Sequence, residues 1–166
     1  MTQVNTAKVA DHRTLRFETI DDLLAEIDRI VEAERAGPRG LRRTGNWSTG
    51  QIFGHLASWI NYAYEGFPAG ATPPRFVKVI VRLTKKRWLT KPMPRGFKIP
   101  RVAEGTFGTE EMTTEEGARR LREALERLKR REPAKFHSPA FGPATDDERI
   151  AGNLRHAELH LGFLHP

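Results

Sequence analysis

Six histidines and no cysteine set the limits on the chemistry open to this chain. Without a thiol there is no disulfide, no thiolate ligand and no cysteine nucleophile, so a metal ion could be held only by His, Asp or Glu. His156 and His160 are four residues apart. On a helix that spacing puts them one turn from each other, with β-carbons about 5–6 Å apart. Both imidazoles can then reach one ion at the usual metal–nitrogen distance of about 2.0–2.1 Å. His55 lies beside the apolar stripe Ile52, Leu56, Trp59 and Ala63, which turns it toward the interior of a helical bundle, where facing helices commonly build metal sites. A lone inward histidine is ordinarily a hydrogen-bonded core residue, and a His-x3-His pair can arise by chance. Three such residues on two inward faces favour the metal reading.

Fewer residues are placed to support these three from behind. Gln51 is one turn before His55, Tyr62 two turns after it, and Asn153 one turn before His156. Each could hold an imidazole or a metal-bound water. Gln51 has a competing role as a helix cap, and Tyr62 as core edge. No general acid or base can be identified beside the histidines, so no catalytic residue is assigned. Asp147, Ala151, Arg155, Glu158 and Gly162 fall on the opposite side of the last helix, and Glu158 is expected at the surface. His12 and His137 lie in irregular segments and His165 lies near the chain end, where solvent exposure is the expectation.

Four amphipathic helices must position these residues. Leu23, Leu24, Ile27, Ile30 and Val31 recur at helical spacing between Asp21 and Ala36, and Gly37-Pro38 stops the pattern. Ser48-Thr49-Gly50-Gln51 fits a capping box that opens a helix running to Glu65, with Trp47 placed to staple onto Ile52. Gly50 and Gly54 would let a neighbour approach closely. Thr113 with Glu116 opens a third helix before Pro133, and Thr145 with Glu148 a fourth that runs to about Leu164. That last helix places His156 and His160 on one arc with Leu154, Ala157, Leu161 and Phe163. Between Gly66 and Thr113 the chain is rich in Pro and Gly, so it reads as a long irregular crossover. One short helix is predicted inside it, over Arg75 to Leu89, with Phe76, Val79, Ile80 and Leu83 on one side and basic residues on the other. Phe97, Ile99 and Phe107 in the crossover would need burial. No alternating strand is apparent, and the pattern predicts an all-α bundle.

The bulk properties agree with one globular domain. The chain has 166 residues, 38% hydrophobic and 30% charged, within the size and composition of a single core. No stretch approaches the roughly 20 apolar residues of a bilayer span, and Met1 to Thr19 is polar, so a soluble cytoplasmic protein is expected. The net charge of +7 could serve an anionic partner. Arg75, Lys78, Arg82, Lys85, Lys86, Arg87 and Lys91 form one basic cluster. In a second, from Arg119 to Arg131, the bases alternate with Glu123, Glu126 and Glu132 as on an exposed helix. Nucleic-acid binding is therefore not expected to be strong.

Trp47-x7-His55 at the start of the second helix, with His156-x3-His160 on the last, resembles the DinB-like superfamily of bacterial metal-binding four-helix bundles. The segments Gly45-Asn46-Trp47-Ser48, Gly96-Phe97-Lys98-Ile99-Pro100, Phe141-Gly142-Pro143 and Arg155-His156-Ala157-Glu158-Leu159-His160 look closest to an uncharacterised branch of it. The likeness covers nearly the whole chain. It implies a bundle with a long crossover, a site for zinc, nickel or iron at His55, His156 and His160, and a homodimer. Better-characterised members often continue past the second histidine into Arg-Gly-Gln, where this chain has Leu161-Gly162-Phe163. The resemblance therefore does not carry over their thiol transfer or isomerisation directly.

Three functions remain in competition. The first is a metal-dependent transferase or isomerase in which a low-molecular-weight thiol takes the open metal position. The second is a non-catalytic metal-binding or stress-linked bundle. The third, weaker, is an anion or nucleic-acid binder using the basic surface.

Overall fold

The computed structural model describes residues 3–37, 39–99, 102 and 105–166; Pro38, part of the expected helix stop, and Pro100, the last residue of the Gly96-Phe97-Lys98-Ile99-Pro100 segment, lie outside these. Among the described residues there are six α-helices: α1 (Ile20–Arg35), α2 (Thr49–Glu65), α3 (Arg75–Leu83), α4 (Lys85–Thr90), α5 (Thr114–Lys129) and α6 (Asp146–Leu161). Three of the four long ones begin at the caps read from the sequence, and α1 begins at a cap, Thr19, that the sequence reading did not name. The side chains of Thr19, Ser48, Thr113 and Thr145 each accept the N–H three residues on. At α1, α2 and α6 the residue at that third position closes the box by accepting the cap's own N–H. Each such cap stabilises its helix by about 1 kcal/mol.

Leu23, Ile27, Ile30, Ile52, Phe53, Leu56, Leu121, Leu125, Leu128, Leu154 and Leu161 meet in a common core. Cross-helix contacts fix the directions. Asp21 with Lys129 and Asp28 with Arg122 make α1 antiparallel to α5. His55 beside His156, and Tyr64 bonded to Arg149, make α2 antiparallel to α6. The starts of α2 and α5 touch, since a β-carbon on Gly117 would lie 2.6 Å from Gly50 O. These two helices therefore run parallel, which requires the long crossover from Gly66 to Thr113.

Several expectations need correction. The predicted helix over Arg75 to Leu89 is two helices broken at Thr84. The Thr84 hydroxyl donates to Ile80 O at 2.7 Å and accepts Trp88 Nε1–H at 3.2 Å, a local bonding pattern that competes with the helical ladder. Phe97 is 63% exposed, while Ile99 and Phe107 are half-buried. The last helix ends at Leu161 instead of Leu164. The chain then forms a two-residue strand β2 (Leu164–His165), paired antiparallel with β1 (Arg42–Arg43). Strands this short carry no alternation to read. His137 is exposed, but His12 and His165 are half-buried, with His12 bonded to Leu159 O at 2.9 Å.

Glu158 is not a surface residue. Arg155 and Glu158 are 2% and 6% exposed and form an ion pair at 2.6 Å. The segment before α1 covers them: Phe17 N–H donates to Glu158 Oε1 at 2.6 Å, and Arg155 Nη2 donates to Phe17 O. Helical periodicity cannot show that a non-helical segment will lie along the polar arc of α6. Removing one partner leaves the other charge buried and unpaired, which costs far more than the pair itself contributes. Glu158→Ala should accordingly destabilise the fold by about 3–5 kcal/mol, while Glu158→Leu combined with Arg155→Met should lose clearly less. Urea unfolding midpoints of the two variants check this, and equal losses would contradict it.

Candidate metal centre

His55, His156 and His160 are brought together at the junction of α2 and α6. Their potential ligand atoms all lie within 4.8 Å of one another, and His55 Nε2 is 3.2 Å from His156 Nε2. A tetrahedral ion with nitrogen ligands at about 2.0–2.1 Å sets those nitrogens about 3.3 Å apart. The three rings stand edge to face, with centroids 4.6, 4.7 and 5.0 Å apart. This orientation aims the nitrogens inward instead of stacking the π faces.

His55 is the anchored member. Its Nδ1–H donates to Phe107 O at 2.8 Å, which fixes the tautomer and leaves the Nε2 lone pair facing the other two imidazoles. The carbonyl is delivered by the returning end of the crossover, which lies directly on α2. Gly108 makes this possible. Its φ is 72°, and a β-carbon there would sit 2.7 Å from Ser58 Cβ. Position 108 thus combines a left-handed backbone with a close approach that only glycine tolerates. Thr109 O, next along, accepts Gln51 Nε2–H at 3.3 Å.

Two tryptophans close the surroundings. Trp47 stacks on His160 at 5.3 Å with planes 7° apart and tilts over His55 at 4.9 Å. Trp59 meets His55 and His156 edge-on at 6.1 and 5.8 Å, and its Nε1–H is buried without an acceptor among the described residues. His55 is 1% exposed, whereas His156 and His160 keep partial exposure. The approach from solvent is therefore over the α6 histidines. Two surface hollows, one beside Arg39 to Arg43 and the C-terminus and one between α1 and α5, lie elsewhere.

The supporting residues named from sequence take other partners. Gln51 Oε1 accepts Ser48 N–H at 2.9 Å as the cap. Asn153 Nδ2 donates to Arg149 O at 2.8 Å. Tyr62 is one ring removed from the histidines, edge-on to Trp59 at 5.6 Å, and burial raises its pKa. The sequence does not single out Phe107 O, and it shows Trp59 only as part of a stripe, whereas Trp47 stands out both as a staple and in the motif with His55. A backbone acceptor leaves no residue-type signal.

Burial keeps all three imidazoles neutral, the form in which they can donate to a cation. It lowers the pKa of His55 to about 4. It pushes His156 and His160 well below 6.5, with the neighbouring histidines adding to the shift. An all-α bundle with three neutral histidines converging in its interior is the class of protein that fold and site define. More narrowly, the chain belongs to the family described as protein of unknown function (DUF1569), whose model matches residues 9–166. Comparison with curated proteins and with solved structures finds no match.

A pH dependence follows for the metal-free protein. Between pH 6.5 and 4 the unfolded chain binds a proton at His55 that the folded chain refuses, so stability must fall as pH drops through that window. The slope is about 1.4 kcal/mol per pH unit for each such histidine. Carboxylates with lowered pKa add to the same trend at the acid end, so the comparison should be made with His55→Phe. That variant should show a slope shallower by about one proton in urea titrations across the window; identical slopes would contradict the burial of a neutral imidazole.

Proposed function

We propose that this protein binds one divalent transition-metal ion, zinc, nickel or iron, through His55, His156 and His160, and is a DinB-like bundle. The observation that carries this is the convergence of three neutral imidazoles, one buried and two half-buried, two of them with Nε2 atoms 3.2 Å apart. The Phe107 carbonyl behind His55 supports it, since metal-ligating histidines almost always donate their other ring N–H to such an acceptor. The Trp47-x7-His55 and His156-x3-His160 spacings support the DinB-like assignment.

Three protein ligands leave a fourth tetrahedral position for an exogenous group, and a metal ion would keep a bound thiol deprotonated near neutral pH. The chain has no cysteine, so a thiolate ligand must come from outside. A low-molecular-weight thiol used in a transferase or isomerase reaction fits this position best. Partial exposure of His156 and His160 gives such a molecule its approach, and Trp59 Nε1–H, which has no acceptor among the described residues, offers it a hydrogen bond. A second reading, a non-catalytic metal-binding or stress-linked bundle, is favoured by the closeness of the aromatic cover that Trp47 and Trp59 form.

Protein purified without a metal-affinity tag should contain about one transition-metal equivalent per chain. His156→Ala and His160→Ala should each lose most of it while keeping the helical circular dichroism, and full occupancy in both would overturn the site. Gly108→Ala tests the carbonyl behind His55: displacing Phe107 O should weaken metal affinity about 10–100-fold. Cobalt substitution then separates the two functional readings. Thiolate ligation adds a sulfur-to-metal charge-transfer band in the near ultraviolet. If bacillithiol, mycothiol and glutathione all leave the cobalt spectrum unchanged, the non-catalytic reading replaces the enzymatic one.

A further inference from the structure

The short helix α3 turns its most apolar face away from the protein. Phe76, Val79, Ile80 and Leu83 are 68%, 57%, 56% and 82% exposed, whereas Val77 and Val81, on the opposite side, are half-buried. At about 100° per residue the four exposed side chains fill one arc of roughly 100°, and Arg75 and Arg82 lie within roughly 60° of its Val79 edge. Single exposed apolar residues need no explanation, but four in helical register, next to cations, mark an interaction surface.

Charge identifies the occupant. From Gly66 to Ala103 the sequence holds ten Lys and Arg and no Asp or Glu. On α5 the bases are neutralised: Arg119 and Arg120 pair with Glu116, Arg122 with Asp28, Arg127 with Glu132 and Lys129 with Asp21. On α3 and α4 only Lys85 meets a carboxylate among the described residues, that of Glu148; Arg75, Lys78, Arg82, Lys86 and Arg87 meet none. A second copy docked face to face would set these cations against their own equivalents. A nine-residue helix also offers much less than the roughly 800 Å² per partner of a stable protein interface. An apolar helical face flanked by cations that meet no carboxylate among the described residues is instead the pattern of a helix that lies in the headgroup layer of an anionic bilayer.

We propose that α3, with the basic start of α4, is a peripheral docking site for anionic lipid surfaces, with Phe76, Val79, Ile80 and Leu83 inserted and Arg75, Arg82, Lys86 and Arg87 on the headgroups. Among the described residues no helix is long and apolar enough to cross a membrane, so this attachment is interfacial. It is independent of the histidine cluster.

The test is co-sedimentation of the full chain with vesicles at about 0.1 M salt, where the Debye length is about 10 Å. Vesicles of phosphatidylcholine and phosphatidylglycerol at 3:1 should bind at least about tenfold more protein than pure phosphatidylcholine. Ile80→Glu with Leu83→Glu should abolish that binding while circular dichroism and metal content stay unchanged, because both side chains are already solvated. Arg82→Gln with Lys86→Gln should weaken it about fivefold for each cation removed. Failure of the wild-type protein to bind phosphatidylglycerol vesicles overturns the proposal. So does binding that survives the two Glu substitutions, which would show attraction by charge alone, as toward an RNA. A concentration-dependent dimer in analytical ultracentrifugation that the same two substitutions abolish would assign the face to a second copy and likewise overturn it.

Discussion

The hydrogen bond from His55 Nδ1–H to Phe107 O ties the bundle to its candidate centre. It selects the tautomer of the deepest histidine, and it exists only because the crossover lies in contact with α2. That contact depends on Gly108, which supplies a positive φ where Ser58 leaves no room for a β-carbon. The parallel arrangement of α2 and α5, closed at Gly50 and Gly117, in turn demands a crossover of this length. The long irregular segment is thus part of the site, supplying from its backbone what no side chain on α2 or α6 provides.

A second constraint holds α6 in register. Arg155 and Glu158 occupy the face of the helix opposite the histidines and are bonded to the backbone of Phe17 on both sides. Arg13 adds to the same seam through Glu26 and the carbonyl of Gly162. A buried ion pair contributes little net stability compared with apolar residues of the same size, but it penalises misplacement of either partner. On α6 that penalty falls on rotation of the helix, the motion that would carry His156 and His160 away from His55.

The four long helices were legible because their information is local. Each has a cap, and the apolar residues recur at helical spacing, so observed starts differ from the expected ones by a residue or so. The histidines were legible for the same reason, since a spacing of four on an inward face needs no knowledge of topology. What escaped was non-local. The burial of Glu158 depends on Phe17, 141 residues earlier in sequence. The strand β2 depends on Arg42 and Arg43 at the far side of α2. The break at Thr84 is the exception, a local side-chain bonding pattern that apolar periodicity does not register. The apolar face of α3 was legible as a face, but periodicity does not say which side the protein covers.

The histidine cluster also poses an energetic problem that the neighbouring side chains do not solve. Three neutral imidazoles turn nitrogens toward one point, and lone pairs in such proximity repel. A neutral His156 in its Nε2–H tautomer can donate to His55 Nε2 at 3.2 Å, but this pairing leaves His160 outside it, and a further proton on any of the three rings would bury a charge. Burial keeps all three pKa values below 6.5, so the charged forms are closed at neutral pH. The arrangement is physically consistent if a cation with borderline nitrogen affinity satisfies all three lone pairs at once. An apolar core built for stability alone would have used leucines at these positions, with better packing and no polar atoms to satisfy.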